Sequence, residues 1–379
     1  MTPIHSFIVK VGSRCNLNCS YCYVYNRADS NWKTQPKLMS QETMHRLAIR
    51  IREHCQEHGR TSTSISLHGG EPLMGGLNHL RSFVQTFEDT FRQTGIRVGF
   101  GMQTNGLLLS EEILDFCLAH GVRFGISLDG PPRINDIHRR DLLGRGTSAR
   151  LEDRLRVATS ERYSKIAAGF LIVSNVTQDP VSILDYAASW HPPGVDFLLP
   201  HDNHDRLPPG KAAFQSTEYG EWLVRLYDHW MSRHSGIRIR LFTSLLRLLF
   251  NGRSQVETVG LTPADFIVVE TNGDVEALDA LKSTFHGATK LGFNVFEHSF
   301  DEVASHVGYV SRTLGAASLC ATCQSCSMVS VCGGGYIPTR YAQSNGFDNP
   351  SVYCHDLQRI IRHMSSTVKR QLTVAGVTA

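Results

Sequence analysis

The chain has 379 residues, and its 41% hydrophobic content is enough for a large buried core. Its 38 basic and 35 acidic residues are interspersed and give a formal charge of only +3, which argues against a nucleic-acid partner. The N-terminus lacks a signal-peptide pattern and no run approaches the roughly 20 apolar residues that span a bilayer, so we expect a cytoplasmic protein without a membrane partner.

Six short runs of β-branched and aromatic residues predict strands in the first 200 residues. They are residues 7–11, 63–67, 97–103, 123–128, 167–173 and 195–199. Segments with helical period lie between them, including 40–58, 77–93 and 110–120. Strands that alternate with helices imply right-handed βαβ units and a parallel sheet, and six units suit an α/β fold built as a partial (β/α)6 TIM-like barrel.

The pattern changes after a helical segment at residues 219–250. Residues 266–278 predict a β-hairpin, because Asn272-Gly273 supplies the positive φ angles of a type I′ turn. Residues 356–371 have helical period and should pack back onto the body. We expect a barrel over residues 1–235, a helical bridge over 236–260, a C-terminal domain over 261–355 and a final helix over 356–379.

Chemically distinctive residues follow the predicted strands at their carboxyl ends. Cysteines follow the first strand, His-Gly-Gly-Glu-Pro (68–72) the second, Gln-Thr-Asn-Gly (103–106) the third, and Ser-Leu-Asp (127–129) coincides with the end of the fourth. This is the face on which parallel α/β sheets and barrels bind ligands. We therefore expect the active site there.

Cys15, Cys19 and Cys22 place three thiolates within eight residues of one loop. Three thiolates can hold three irons of a [4Fe–4S] cluster and leave the fourth iron open to a small molecule. A zinc site with a distant fourth ligand is the alternative. Because a tight cysteine group in a reducing compartment points to metal, both interpretations predict a metal centre.

This triad resembles the signature of the radical S-adenosylmethionine (SAM) superfamily, in which SAM chelates the open iron. The glycines and glutamate at 69–71 resemble the family's Gly-Gly-Glu, which accepts hydrogen bonds from the SAM amino group; an ordinary turn is the alternative. Related anaerobic sulfatase-maturating enzymes place SAM contacts at positions matching residues 21, 127 and 139. The predicted SAM-binding set is Tyr21, Gly69, Gly70, Glu71, Gln103, Asn105, Ser127 and Arg139.

Four further cysteines, Cys323, Cys326, Cys332 and Cys354, can ligate a second cluster or a zinc ion. Their spacing resembles the SPASM extension of radical SAM peptide maturases. The resemblance implies one auxiliary [4Fe–4S] cluster in addition to the SAM-binding cluster. Three positions that bind another auxiliary cluster in that family hold Pro263, Leu278 and Tyr336 here, so we expect that cluster to be absent. Cys320 is left over, as an alternative ligand or a free thiol.

Nearly the whole chain resembles FxsB-type maturases, which act on ribosomally made precursor peptides. The resemblance implies a cyclophane crosslink between an aromatic ring and a β-carbon, a flavodoxin- or ferredoxin-type electron donor, and a catalytic role for Asp279 as a proton acceptor. A solvated carboxylate is the alternative for Asp279. The alternatives for the protein are radical SAM oxidation or epimerisation of a sugar or nucleoside, and a non-catalytic iron–sulfur or zinc protein.

Overall fold

The computed structural model describes residues 2–374, which form two compact units. The first comprises residues 2–171, 190–193 and 264–313, and the second comprises 172–189, 194–263 and 314–374. The strands are β1 (Ser6–Gly12), β2 (Ser62–Gly69), β3 (Arg97–Thr104), β4 (Arg123–Ser127), β5 (Ala167–Val173), β6 (Gly194–Leu198), β7 (Arg238–Ile239), β8 (Phe266–Val269), β9 (Asp274–Glu276) and β10 (Lys290–Asn294).

Helices follow most of the strands. They are α1 (Gln41–Glu57), α2 (Gly76–Phe91), α3 (Glu111–Ala119), α4 (Pro132–His138), α5 (Ser148–Ala158), α6 (Pro180–Ala188), α7 (Glu218–Arg233), α8 (Arg240–Leu249), α9 (Phe300–Ser305), α10 (Val307–Val310), α11 (Ala321–Gln324), α12 (Val329–Cys332) and α13 (Cys354–Val374). Among the helices of residues 2–374, none combines the length and the apolar character needed to cross a bilayer.

The first unit is built on a sheet with the strand order β10-β9-β8-β1-β2-β3-β4-β5. The pairs from β8 to β5 are parallel, whereas β9 and β10 are antiparallel to their neighbours. Serine side chains begin two of the predicted helices: Ser40 accepts the Thr43 N–H at 3.1 Å and Ser110 accepts the Ile113 N–H at 3.3 Å. The six predicted strands are confirmed as β1 to β6.

The second unit contains the parallel pair β6–β7 and helices including α6–α8 and α11–α13. The segment 219–250 is helical as predicted over α7 and α8, but the short strand β7 divides it. Gly236 has low helix propensity, and the Trp230 indole donates to the Ile237 carbonyl at 2.7 Å just beyond it. The chain thereby turns from α7 into β7.

The hairpin β8–β9 forms as predicted, but its turn is not type I′. Asn272 keeps a negative φ and only Gly273 is positive, at +87°. The Gly273 N–H donates to the Glu270 carbonyl at 2.9 Å, and the Asn272 side chain donates to the Asp274 carboxylate and accepts from the Asp274 N–H. This is a three-residue loop that ends on a glycine bulge. The hairpin belongs to the first unit because β8 pairs with β1, which differs from the domain boundary predicted near residue 261.

Candidate active site

The three N-terminal cysteines lie in the irregular segment that follows β1 in the first unit. Backbone hydrogen bonds fix this loop: Asn18 N–H donates to the Arg140 carbonyl at 2.8 Å, and Cys22 N–H to the Cys19 carbonyl at 2.9 Å. Burial, together with the neighbouring Cys19 and Cys22, raises the pKa of the Cys15 thiol to about 12. Thiols grouped in one loop become thiolates beside a compensating cation, so this donor set fits an iron–sulfur cluster.

The two glycines at the end of β2 allow the chain there to approach residues 12–14 closely. Gly69 has φ +139°, and a Cβ there would lie 1.9 Å from the Gly12 carbonyl oxygen. A Cβ on Gly70 would lie 1.8 Å from the Tyr25 hydroxyl and 2.6 Å from the backbone of Arg14. Only glycine therefore allows the end of β2 to lie directly against the cluster loop.

Glu71 is held by three hydrogen-bond donors and is only 1% exposed. Its Oε1 accepts from the Leu73 N–H at 3.1 Å and the Thr104 hydroxyl at 2.7 Å, and its Oε2 accepts from the Asn105 N–H at 2.8 Å. Burial raises the pKa of Glu71, while these donors oppose the rise. The carboxylate is thus oriented with acceptor capacity left for a ligand cation, since two oxygens offer about four lone-pair sites.

Arg139, Tyr21 and Asp129 form a hydrogen-bonded chain next to the cluster loop. Arg139 donates to the Tyr21 hydroxyl at 3.0 Å, and that hydroxyl donates to Asp129 at 2.7 Å. Arg139 is 6% exposed and its charge lowers the pKa of the Cys19 thiol, although burial raises that pKa overall. A guanidinium in this position suits an anionic cluster or a ligand carboxylate.

The remaining predicted SAM contacts lie at the ends of β3 and β4. Asn105 donates to Asn16 at 2.7 Å and contacts the Cys15 sulfur at 3.7 Å, which joins it to the cluster loop. Gln103 donates to the Ser127 hydroxyl at 2.8 Å. The structure therefore connects Asn105 directly to the triad, whereas Gln103 and Ser127 pair with each other.

Asp279 begins a short 3-10 helix after the β8–β9 hairpin and is buried, with 5% of its surface exposed. Its Oδ2 accepts from the Tyr23 hydroxyl at 2.9 Å, so it is tied to the residue that follows Cys22. Its Oδ1 lies 2.5 Å from the Lys10 Nζ and 3.2 Å from the Lys282 Nζ. Burial favours the neutral acid, but the two ammonium groups outweigh burial and lower the pKa of Asp279. The solvated-carboxylate interpretation was wrong.

The lysines and glutamates that surround Asp279 were not predicted from the sequence. Lys10 contacts Glu270 at 2.8 Å, and Lys282 contacts Glu270 at 2.5 Å and Glu276 at 2.7 Å. One signal was available, because Lys10 is a lone charge inside an otherwise apolar strand and buried lysines are rare unless paired. Its partners lie more than 250 positions away along the chain.

In the second unit, four cysteines line one cavity. They are Cys323, Cys326, Cys332 and Cys354. Burial raises the pKa of Cys323 to about 12 and that of Cys332 to about 11. Four converging thiols supply a complete set of soft ligands for a cluster or a zinc ion, so the donor set fits an auxiliary centre.

Cys320 is buried in contact with Cys323 but does not line that cavity. Beside this cavity, Arg340 donates to three successive carbonyls: those of Gly333 at 2.9 Å, Gly334 at 3.0 Å and Gly335 at 2.5 Å. All three glycines have φ between +65° and +74°. The guanidinium therefore fixes a left-handed backbone turn directly after Cys332.

Comparison with known proteins agrees with this chemistry. Residues 9–186 match the family profile described as Radical SAM superfamily. A cysteine-type anaerobic sulfatase-maturating enzyme of Clostridium perfringens (strain 13 / Type A) is 23% identical over 371 residues, 96% of each chain. The solved structure of native anSMEcpe with bound AdoMet has a TM-score of 0.82 at 21% identity, covering 98% of this chain and 99% of that one. The structure of native anSMEcpe with bound AdoMet and Cp18Cys peptide has a TM-score of 0.79 at 21% identity, covering 98% of each chain.

A second solved structure is more distant. Streptococcus suis SuiB bound to precursor peptide SuiA has a TM-score of 0.58 at 15% identity, covering 93% of this chain and 76% of that one. At these identities the likeness shows a shared fold, and the predicted α/β fold of radical SAM type with a SPASM-like C-terminal region is confirmed.

Three thiols at the carboxyl edge of a parallel sheet, together with a separate four-thiol cavity, define an iron–sulfur enzyme of the α/β class. The chain carries a radical SAM domain over residues 9–186. It is a radical SAM enzyme, and the prediction that it uses SAM and iron–sulfur clusters is confirmed.

Proposed function

We propose that this enzyme oxidatively modifies a ribosomally made precursor peptide. The observation that carries the proposal is the four-thiol cavity of the second unit, because an oxidation that starts with hydrogen-atom abstraction needs an acceptor for a further electron. Support for a peptide substrate comes from two structural relatives, one with a bound Cp18Cys peptide and one with precursor peptide SuiA. The resemblance to anaerobic sulfatase-maturating enzymes points the same way.

The cofactors have suitable protein groups in the first unit. Cys15, Cys19 and Cys22 would hold the SAM-binding cluster, Glu71 would accept from the SAM ammonium, and Arg139 would face its carboxylate. When bound, SAM and its cluster supply the 5′-deoxyadenosyl radical that abstracts a hydrogen atom from an unactivated carbon. The chain's own side chains bind and orient these groups and exclude water from them.

The chain has groups that can account for each hydrogen and electron removed in this oxidation. One hydrogen leaves the substrate as an atom and ends in 5′-deoxyadenosine. The new carbon–carbon bond then requires loss of one electron and one proton. A cluster held by the four cysteines from Cys323 to Cys354 would take the electron, and Asp279 would take the proton. Asp279 suits this role because the Tyr23 hydroxyl and two ammonium groups keep it ionised beside the cluster loop.

The finer proposal is a cyclophane crosslink between an aromatic ring carbon and a neighbouring β-carbon. It rests on the sequence resemblance to FxsB-type maturases. A flavodoxin- or ferredoxin-type protein is the proposed source of the electron that starts each turnover, because SAM cleavage to a radical consumes one electron. One auxiliary [4Fe–4S] cluster is proposed, with Cys320 outside its ligand set because this thiol does not line the cavity.

The test is an anaerobic reaction of reconstituted enzyme with SAM, dithionite and a candidate precursor peptide. We expect 5′-deoxyadenosine and a peptide lighter by two hydrogens to form together, with label from a β-deuterated residue appearing in 5′-deoxyadenosine. Oxidation of a serine to an aldehyde also removes two hydrogens, so a hydrazide probe separates an aldehyde from a crosslink. A peptide that reacts with hydrazide would refute the crosslink and retain peptide oxidation.

Two matched variants assign the chemistry to its centres. Cys22→Ala should form neither 5′-deoxyadenosine nor product. Cys332→Ala should still form 5′-deoxyadenosine but no oxidised peptide, because the electron then lacks its acceptor. Formation of 5′-deoxyadenosine in the wild type with every peptide unchanged would redirect the enzyme to a small-molecule substrate.

A further inference from the structure

Five buried ionisable side chains form one continuous network in the first unit. Each is at most 5% exposed. The members are Lys10, Glu270, Glu276, Asp279 and Lys282, which we call the buried charge network. Its ion pairs range from 2.5 to 3.2 Å. The three carboxylates converge closely enough to hold a metal ion, but Lys282 contacts an oxygen of each, so an ammonium already takes the position of a cation.

The charge of this network is unbalanced by one proton. Two ammonium groups face three carboxylates, which leaves a net charge of −1 when all are ionised. A net charge inside a protein is unfavourable, and one added proton makes the network neutral. The network is therefore suited to take up and hold a single proton.

The contacts identify the carboxylate on which that proton rests. Glu270 contacts both lysines, at 2.8 and 2.5 Å, and Asp279 contacts both lysines and the Tyr23 hydroxyl. Glu276, by contrast, forms a salt bridge with one lysine of the described part of the chain, Lys282, at 2.7 Å. The carboxylate with the fewest ammonium contacts loses least when it is protonated.

The remaining charged neighbours of Glu276 agree with this assignment. Lys290 lies opposite it across β9 and β10, but Lys290 is exposed, so water screens its charge. Burial raises the pKa of Glu276 to about 7, and Glu270 and Asp279 add to the rise while Lys10 and Lys282 oppose it. Burial also lowers the pKa of His68, which disfavours a charged imidazole in this part of the site.

We propose that Glu276, acting through Lys282, holds the proton that Asp279 takes from the substrate. This inference rests on the proposed function, in which Asp279 is the first proton acceptor. Lys282 bridges the two carboxylates, at 3.2 Å from Asp279 Oδ1 and 2.7 Å from Glu276 Oε2. Protonated Asp279 passes its proton to Lys282 as Lys282 passes one of its own protons to Glu276. Lys282 remains an ammonium, Asp279 is again a carboxylate, and no electron moves.

This transfer resolves a conflict in the site. A carboxylate between two lysines is readily ionised but holds a proton poorly. Asp279 could therefore give its proton back to the reacting substrate, and this return would compete with turnover. Transfer to Glu276 moves the proton away from the reacting atoms. Glu276 is a positioning residue in this scheme, because it acts on the substrate only through Lys282 and Asp279.

The experiment compares Glu276→Gln with Glu276→Asp in the reconstituted holoenzyme. Glu276→Gln should form 5′-deoxyadenosine in the first turnover within about twofold of the wild type, while oxidised peptide per 5′-deoxyadenosine falls at least about tenfold. The wild-type rate of product formation should rise with pH through about 7, where Glu276 becomes free to accept a proton. Glu276→Gln should lose this limb and Glu276→Asp should restore it. An unchanged limb in Glu276→Gln overturns the proposal.

A second readout does not depend on turnover. An infrared pH titration should show the carbonyl band of a protonated carboxylic acid that disappears with a midpoint near pH 7 in the wild type, is missing in Glu276→Gln and is shifted in Glu276→Asp. Persistence of that band in Glu276→Gln overturns the proposal whatever the substrate. If no peptide is modified but the band behaves as expected, the proposed function fails while the proton-holding role of Glu276 stands.

Discussion

Lys10→Met tests whether the buried charge network stabilises the fold. The substitution keeps an unbranched side chain of similar length inside β1 and removes one ammonium. Glu270 and Asp279 each lose one of their two lysine partners, at 2.8 and 2.5 Å. Because the Lys10 side chain is only 3% exposed, water does not replace the lost contacts.

The expected cost follows from leaving buried carboxylates without their partner. Removing one side of a buried ion pair costs about 3–5 kcal/mol. In a compact unit of this size, 1 kcal/mol moves the melting temperature by about 2–4 °C. We therefore expect the melting temperature of Lys10→Met to fall by roughly 6–20 °C.

The assay is anaerobic melting of the reconstituted protein at one scan rate, followed by tryptophan fluorescence. The double variant Lys10→Met/Glu270→Gln removes a carboxylate as well, restores the network's net charge and should recover at least half of the loss. Lys290→Met is the matched surface control and should shift the melting temperature by less than about 2 °C. A fall below about 2 °C in Lys10→Met, or no recovery in the double variant, would refute the reasoning.

Three further outcomes follow. Cys22→Ala and Cys332→Ala should each lose about half of the bound iron, measured by iron content and visible absorbance, because each removes a ligand from a different four-iron centre. Cys320→Ala should retain full iron, since this thiol lies outside the four-cysteine cavity; loss of iron would make it a ligand. Burial outweighs Asp301 and lowers the pKa of His54, whose Nε2 accepts the Ile4 N–H at 3.0 Å, so the unfolded state binds more protons. Stability should be complete above about pH 6.5 and fall on acidification, with a smaller slope in His54→Gln; an equal slope would contradict this.

The strands and several helix starts were predictable because they depend on local sequence. Ser40 and Ser110 are side-chain N-caps, and their hydrogen bonds involve residues only three positions away. The break between α7 and α8 was not predicted, because pairing of β7 with β6 outweighs the helical period of that segment. The turn at Asn272 also differs, since its side chain bonds Asp274 and one glycine is sufficient for the loop.

The cysteines of both centres could be identified because their spacing is a property of short segments. The ionic partners of Asp279 could not, because Lys10 and Asp279 are 269 positions apart and become neighbours only through the pairing of β1 with β8. Likewise, the hydrogen bonds from Tyr21 to Asp129 and from Arg139 to Tyr21 join segments more than 100 positions apart. Sequence motifs can indicate such residues, but their contacts depend on the tertiary structure.

The pairing of β1 with β8 has a consequence for synthesis on the ribosome. Until residues 266–282 have been made, the nascent first unit has an open edge at β1 and an ammonium at Lys10 with neither of its carboxylates. Such an edge is a template for pairing with other chains, and pairing of high sequence separation forms slowly. Completion of this unit must therefore follow translation of β8 to β10, and a fragment that ends before β8 should aggregate instead of folding as an independent barrel.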